Sequence, residues 1–364
     1  MKRIVTCLLL LAMAGSAGAE TGNPSLKSID ALTFGPDGLL IVGDGRGGQV
    51  VAIQTGDVTL AKGTWTGVKN LKAAIGARLG TDAKGIEIGK LAVNPASQTA
   101  YAAIRLVSNK SSVLVTIKPD GTIRDFPTES VEFTRYRLPA GEKSPITKIT
   151  DVTWAGDRIL VAAQANETFA SKIVSIVPKA NEEAVCYSTE TYHVAHKAWE
   201  TKAPIRTVLP YEENGKRYLV GAFTCKPIVK FPLDEMKPGG QVKGISLMEL
   251  GSGNTPQNMF RYEKDGRSYI LISTFRFQHE KNPVGPSPYW AAKVDYSILG
   301  ENTKVNQDAI WRIKGKASVD VTDRATVARD YFGVMQMDRL DANRALVIRT
   351  LGKDDVELTP LPLP

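Results

Sequence analysis

The chain's three histidines, His193, His196 and His279, are the residues best suited to chemistry in this sequence. His193 and His196 are three positions apart, a spacing that lets two imidazoles share one side of a helical turn. With Cys225, His279 or Glu167 as further ligands, such a pair could bind Zn²⁺ or Cu²⁺. We therefore take His193 and His196 as candidate metal ligands.

A second interpretation of the same residues involves no metal. Cys186 and Cys225 are the two cysteines beyond segment 1–19, and an even number in an exported chain suggests a disulfide. The bridge would close a loop of about 40 residues and contribute about 3–4 kcal/mol. It would remove the Cys225 sulfur from any metal site and leave the imidazoles in ordinary loop hydrogen bonds. The two interpretations compete for one sulfur atom.

A repeated strand couplet positions these residues. Segment 28–44, SIDALTFGPDGLLIVGD, predicts a strand, a tight turn at 35–38 and a second strand. Variants of its first strand recur along the chain, at 29–34, 88–93, 149–154, 205–210, 257–262 and 334–339. Such repetition predicts an all-β fold, a β-propeller of six blades with room for a seventh in 60–87 or 276–307. A β-sandwich is the alternative, but it needs no recurring turn at one place in each unit.

The propeller prediction brings distant residues to one face. In a blade, the loop from the second to the third strand and the loop into the next blade emerge on the same side. All three histidines fall in such loops around blades three to five, where the loops are long, and long scaffolded loops usually carry binding and chemistry. The predicted ligand-binding residues are His193, His196, His279, Asn166, Glu167, Tyr289 and Trp290. The last two come from the longest interruption, 276–307, interpreted as an insertion between the second and third strands of blade five.

Four further polar residues lie on predicted inner strands, and one short helix is expected. Asp30, Asp151, Asn258 and Asp338 could ring a central cavity and hold Ca²⁺ through oxygen atoms, or could tie inner strands together by hydrogen bonds. Segment 68–80, after blade one, has apolar residues at helical spacing and is expected to cap a groove between blades.

The N-terminal segment predicts export. Basic residues at 2–3, the apolar run LLLLAMAG and the small residues at 17–19 are typical of a signal peptide cleaved after Ala19. Its apolar run is too short for a transmembrane helix, and no later segment reaches the required length. We expect 20–364 to form one β-propeller domain in the periplasm or outside the cell, as a monomer.

Composition limits the partners. The formal net charge of +8 is spread over 364 residues without dense basic runs, which argues against nucleic-acid binding. A mildly basic surface suits an anionic substrate or an acidic partner, or serves solubility alone. The sequence has no G-x-S-x-G elbow, no CxxCH haem motif, no P-loop and no GxGxxG entering a helix.

The couplet at 28–44 resembles the blades of the six-bladed superfamily that includes NHL-repeat proteins and the SMP-30/gluconolactonase-like hydrolases. Segments YHVAHKAWETKAPIRTVLPY and FTCKPIVKFPL resemble secreted bacterial propellers without an assigned activity. The resemblance to SMP-30 implies a divalent ion held by a Glu, two Asn and an Asp, to which Asn258 and Asp338 could be matched. Ser28-Ile29-Asp30 stands where the glutamate is expected, so the resemblance carries over the fold and not the lactonase residues.

Two functions follow as hypotheses. In the first, the long-loop face of blades three to five binds a small ligand or a periplasmic protein. In the second, the protein is a metal-dependent enzyme, hydrolytic or redox, with His193 and His196 as ligands of Zn, Cu or another divalent ion.

Overall fold

The repeated couplets fold as antiparallel strand pairs that extend into meander sheets. A computed structural model describes residues 18–139, 144–178, 183–194, 196–224, 227–251, 253–301, 324–352 and 355–364. Within these ranges the fold is all-β, with two short helices, α1 (Leu71–Arg78) and α2 (Ile298–Glu301). The strands are β1 (Glu20–Gly22), β2 (Ala31–Phe34), β3 (Leu39–Asp44), β4 (Gln49–Gln54), β5 (Ile86–Val93), β6 (Ala100–Leu106), β7 (Ser112–Ile117), β8 (Ile123–Asp125), β9 (Val131–Arg137), β10 (Ile146–Trp154), β11 (Ile159–Ala165), β12 (Ser171–Ile176), β13 (Val185–His193), β14 (Ala198–Glu200), β15 (Ile205–Glu213), β16 (Lys216–Phe223), β17 (Pro227–Pro232), β18 (Gln241–Glu249), β19 (Asn254–Lys264), β20 (Arg267–Arg276), β21 (Tyr289–Asp295), β22 (Ala325–Val327), β23 (Val334–Arg339), β24 (Arg344–Thr350) and β25 (Val356–Pro362).

The strands group into sheets of similar plan. The first sheet has the order β1-β9-β4-β3-β2, and the second runs from β5 to β8. A nine-stranded sheet consists of two meanders, β10 to β13 and β15 to β18, joined by parallel pairing of β13 with β18. Strand β14 folds back on β13. The last two sheets contain β19 to β22 and β23 to β25.

The first strands of the meanders surround a common axis. Strand β2 packs beside β10, and the contacts continue through β15, β19, β23 and β5 back to β2. This closed ring of inner strands gives the fold a propeller-like arrangement. The order around the ring differs from the order along the chain, because the second sheet lies between the first and the last. The chain leaves the first sheet after β4, builds β5 to β8 on the far side, and returns to add β9.

A register shift recurs near the start of the inner strands. It separates Ile149 from Asp151 in β10 and Ile205 from Thr207 in β15, and β5, β19 and β23 have shifts at the corresponding place. A bulge at this point increases local twist and turns the following side chains. Five of the six inner strands thereby share one bend as well as one sequence pattern.

Helix α1 confirms the prediction for 68–80 and closes the ring. Its buried residues Leu71 and Ile75 pack with apolar residues of both the second and the last sheet. Just before it, Val68 exchanges backbone hydrogen bonds of 2.7 and 2.9 Å with Leu358 of β25. The helix therefore fills the groove where the two sheets meet.

Two sequence interpretations are wrong in detail. Segment 276–307 is not one insertion, because 289–295 forms the third strand of its sheet, where the apolar run Trp290–Ala292 is buried. Residues 60–85, one candidate for a seventh blade, form α1 and its flanking loops.

Candidate functional site

A β-hairpin places the first two histidines. His193 is the last residue of β13 and is paired with Ala198, while Thr191 lies opposite Glu200. Because side chains alternate along strands, Glu200 shares the face of Thr191 and His193. His196 lies in the connecting turn, where its backbone N–H donates to the His193 carbonyl at 3.2 Å. The H-x-x-H motif thus lies on a hairpin turn and not on the helical turn suggested by its spacing, because β13 pairs with β14.

The two imidazoles converge on one carboxylate. Nδ1 of His193 and Nδ1 of His196 lie 2.8 and 2.9 Å from the same Oε1 atom of Glu200. The two ring centroids are 3.9 Å apart. One ligand atom from each of the three side chains lies within 4.8 Å of the others. Elsewhere in the part of the chain that the structure describes, no other group of three His, Cys, Asp or Glu side chains meets this distance.

The cluster extends from the interior to the surface. His193 and Glu249 are 2% and 4% exposed, whereas the His196 side chain is 64% exposed. Oε1 of Glu249, the last residue of β18, is 3.7 Å from Nε2 of His193. The parallel pairing of β18 with β13 brings it there, and Ser246 Oγ supports this by donating to the Tyr192 carbonyl at 2.6 Å. A solvent ligand can approach from the His196 side.

This donor set can act in two ways. Two imidazoles and a carboxylate are ordinary ligands of Zn²⁺, and imidazole also suits Cu²⁺. A carboxylate next to the outer nitrogen of a ligating histidine fixes its tautomer, and Glu249 is placed to do this for His193. Without a metal, Glu200 accepts hydrogen bonds from both imidazoles and so joins β14 to the end of β13 and to the turn.

The sequence analysis did not identify Glu200 or Glu249. Glu200 follows His196 by four residues, and the extended pattern H-x-x-H-x-x-x-E was a signal that could have identified it. Glu249 is distant in sequence and reaches His193 only through the pairing of β13 with β18. No local pattern marks it.

The remaining predicted polar site residues do not join this cluster. Glu167 forms a buried ion pair with Lys172, whose ammonium also donates to Ser188 Oγ at 2.7 Å. Asn166 is exposed beside it. His279 is half-buried after β20, as the loop rule predicts, and its backbone N–H donates to the Arg276 carbonyl at 3.2 Å. A ligand role for these residues stays a prediction.

The two aromatic site residues lie on β21. Trp290 is fully buried, and its indole N–H donates to Asn254 Oδ1 at 3.2 Å. Tyr289 is half-buried against Phe275, with ring centroids 4.9 Å apart, and burial raises the pKa of its hydroxyl. The indole therefore packs in the sheet core, and the ligand-binding role assigned to both residues stays a prediction.

Of the two cysteines in the predicted disulfide, only Cys186 lies among the described residues. Cys186 is half-buried near the start of β13, where its backbone is paired with Val174. Cys225 lies outside the described residues. The disulfide between them stays a prediction.

The inner-strand oxygens tie neighbouring strands together. Asp151 accepts the Val208 N–H at 2.9 Å across β10 and β15, and Asn258 accepts the Met337 N–H at 3.1 Å across β19 and β23. Asp338 accepts the Val93 N–H at 2.7 Å across β23 and β5. Asp30 differs, since it accepts the Gly45 N–H at 2.8 Å within the first sheet. The bonds of Asp151, Asn258 and Asp338 match the interpretation of these residues as strand ties, and the calcium role stays a prediction.

Comparisons with known proteins give the following likenesses. No family model and no curated protein matches the chain. A putative oxidoreductase (glucose dehydrogenase) from Thermus thermophilus is 12% identical, with a TM-score of 0.36 over 95% of this chain and 100% of that one. An endo-arabinase from Bacteroides thetaiotaomicron is 13% identical, with a TM-score of 0.39 over 76% of this chain and 93% of that one. The Malassezia sympodialis allergen Mala s 1 is 8% identical, with a TM-score of 0.38 over 94% of this chain and 95% of that one. Likenesses at this level carry no argument about function.

Both helices of the described residues are short. Among the described residues, neither helix has the length and apolar character needed to cross a bilayer.

Proposed function

We propose that this protein is an exported six-bladed propeller that binds a divalent metal ion at His193, His196 and Glu200 and uses it to bind a small ligand. The convergence of both Nδ1 atoms on one Glu200 oxygen carries the proposal. The six-strand ring around the axis supports the blade count, each inner strand beginning one meander.

The geometry favours a transition metal over calcium. Nitrogen donors suit Zn²⁺ and Cu²⁺, whereas calcium takes six to eight oxygen ligands. The Glu249 carboxylate, at 3.7 Å from Nε2 of His193, would hold that ring with Nδ1 facing the ion. Three protein ligands leave a coordination position, and the exposed His196 side chain leaves that side of the site open.

The chain provides a matched control for the metal test. His279 is its third and last histidine, and it does not belong to the cluster. Purified metal-free protein should bind one Zn²⁺ or Cu²⁺ per chain by titration calorimetry and elemental analysis. His193→Ala and His196→Ala should each weaken binding by at least about tenfold, since each removes one of three ligands. His279→Ala should bind as the wild type does.

Two results would contradict the metal proposal. One is substoichiometric zinc and copper in the wild type at micromolar free metal. The other is equal loss of affinity in His279→Ala and His196→Ala, which would indicate scattered histidine binding. Circular dichroism of each variant shows whether the sheets remain folded.

Ligand binding through the metal is tested separately. Hydroxamates and imidazole should bind the zinc-loaded protein and not the metal-free protein. Equal binding to both forms would leave the metal without a role in recognition.

A metal-dependent hydrolase is the second candidate, favoured by the open coordination position. Catalytic zinc sites keep such a position for water, whereas structural sites are closed. An ester and a lactone substrate should then be hydrolysed by the zinc-loaded protein and not by the His196→Ala variant. Zinc binding without turnover would favour the binding function.

Export is proposed on the sequence of the first 19 residues, and the first described strand starts at Glu20. Expression with those residues in a Gram-negative host should give a periplasmic protein that begins at Glu20. An intact N-terminus in the cytoplasmic fraction would contradict this.

A further inference from the structure

The ring of inner strands encloses a second site unrelated to the histidines. A cavity of about 640 Å³ lies where β2, β5, β10, β15 and β19 begin, a volume typical of small-molecule sites. Strand β13 runs antiparallel through its sheet to β10, so it ends where β10 begins. The cavity and the histidine hairpin therefore lie at the same end of the ring.

Positive charge dominates the lining of this cavity. Its cationic side chains are Arg46, Lys90, Arg105, Lys148 and Arg206, against the two carboxylates of Asp30 and Glu87. Both carboxylates are already engaged: Glu87 pairs with Arg105, and Asp30 accepts hydrogen bonds from Ser28 Oγ and the Gly45 N–H. The other cations have no carboxylate partner in the lining.

Two of these cations lie among the inner strands. Lys90 Nζ donates to the Gln257 carbonyl at 3.1 Å, which leaves further ammonium protons to donate. Arg206 Nε is buried and has no hydrogen-bond partner among the described residues. A buried donor without a partner destabilises the fold. An acceptor inside the cavity would remove that cost.

The carboxylate of Asp151 only partly compensates the positive charges of Lys90 and Arg206. Burial lowers the pKa of Lys90. The negative charge of Asp151 acts to raise this pKa, and the positive charge of Arg206 acts to lower it further. Burial also lowers the pKa of Arg206, and Asp151 again opposes the shift. Asp151 is therefore the carboxylate that acts on both cations, and it also accepts the Val208 N–H and helps to raise the pKa of Asp338.

We propose that the axial cavity binds a small organic oxyanion, a carboxylate or a phosphate ester, with Arg206 and Lys90 as its anion-binding groups. A guanidinium presents parallel N–H donors that match two oxygens of a carboxylate or phosphate, and an ammonium adds a point charge. Arg46 and Lys148 are exposed at the cavity and attract the anion to it. This inference does not rest on the proposed metal site.

The probes are citrate, glucose 6-phosphate, inorganic phosphate and neutral glucose, titrated calorimetrically into the full chain at constant ionic strength set with NaCl. We expect binding of citrate or glucose 6-phosphate and none of glucose. Comparing the affinities for citrate and for glucose 6-phosphate shows whether the cavity prefers a carboxylate or a phosphate group. Inorganic phosphate shows whether the anionic group alone suffices.

Substitutions that should weaken anion binding and one that should strengthen it test the assignment of Arg206 and Lys90. Arg206→Gln and Lys90→Gln should each weaken anion binding by about 10-fold or more, the effect of one charge-assisted hydrogen bond. Asp151→Asn removes the competing negative charge and should strengthen binding, a gain that misfolding cannot produce. Arg261→Gln is the matched control, because this guanidinium pairs with Glu263 away from the cavity.

Three results would overturn the inference. The first is that no oxyanion binds more strongly than in the NaCl control. The second is that Arg206→Gln and Lys90→Gln bind the anions as tightly as the wild type does. The third is that Asp151→Asn binds them more weakly while remaining folded. The metal-free protein should keep full anion affinity, so failure of the metal proposal and failure of this one are distinguishable.

Discussion

Replacing Asp338 by asparagine tests how the ring is tied together. Its carboxylate accepts the Val93 N–H at 2.7 Å across two inner strands, and its own strand supplies a second donor, the Arg339 N–H at 2.8 Å. Burial raises the pKa of this carboxyl to about 6, and the two backbone hydrogen bonds only partly offset the rise. Asparagine keeps a carbonyl oxygen for Val93 and cannot be ionised.

The sign of the effect follows from linkage. The folded protein binds this proton more tightly than the unfolded chain does, for which the ordinary pKa is 3.8. The contribution is therefore fully present below about pH 4 and is lost as the pH rises through about 6. A rise from 3.8 to about 6 corresponds to about 3 kcal/mol of unfolding free energy.

The assay is urea unfolding followed by circular dichroism at several pH values between 4 and 7. Wild type and Asp338→Asn should be similarly stable at pH 4, and the variant should be more stable at pH 7 by up to about 3 kcal/mol. Asp265→Asn, in an exposed turn, controls for the change in net charge. A stability difference that does not vary with pH would show that the carboxyl is ionised throughout, and would refute the reasoning from burial.

Three further substitutions test local structure by the same urea assay. Asp44→Asn should lower the free energy of unfolding by about 2 kcal/mol, because one of the oxygens that accept backbone and side-chain donors becomes an amide nitrogen; an unchanged midpoint would contradict this. Asn254→Leu should cost about 3 kcal/mol, since it leaves the buried Trp290 indole N–H without its acceptor; a loss below 1 kcal/mol would mean that another acceptor replaces it. Gly333→Ala should cost about 2 kcal/mol or more, because φ is +86° and the added Cβ would lie 2.5 Å from the Thr350 carbonyl oxygen; a neutral effect would show that the backbone relaxes.

The local patterns were sufficient for much of the fold. Leu71 and Ile75, four residues apart, predicted α1 because one helical face requires that spacing. The strand couplets were also identifiable, since the alternation and the turn are encoded within a few residues. The error at 289–295 arose from the prolines at 283, 286 and 288, which made a buried strand read as part of a loop.

What the sequence could not reveal is set by contacts between distant segments. The loop rule placed His193 and His196 in the connection between blades, but Glu249 reaches them only through the parallel pairing of β13 with β18. Likewise, the partnerless Nε of Arg206 depends on which strands meet around the axis. A residue's own neighbours in sequence carry no record of such partners.

The late return of β9 has a consequence for biosynthesis. A nascent chain that has emerged only through β8 has β4 without its outer neighbour, because β9 is what pairs there. Such an unpaired edge can recruit a strand from another chain. This edge of the nascent chain therefore stays exposed to strand addition from the synthesis of residue 54 until residues 131–137 have been made.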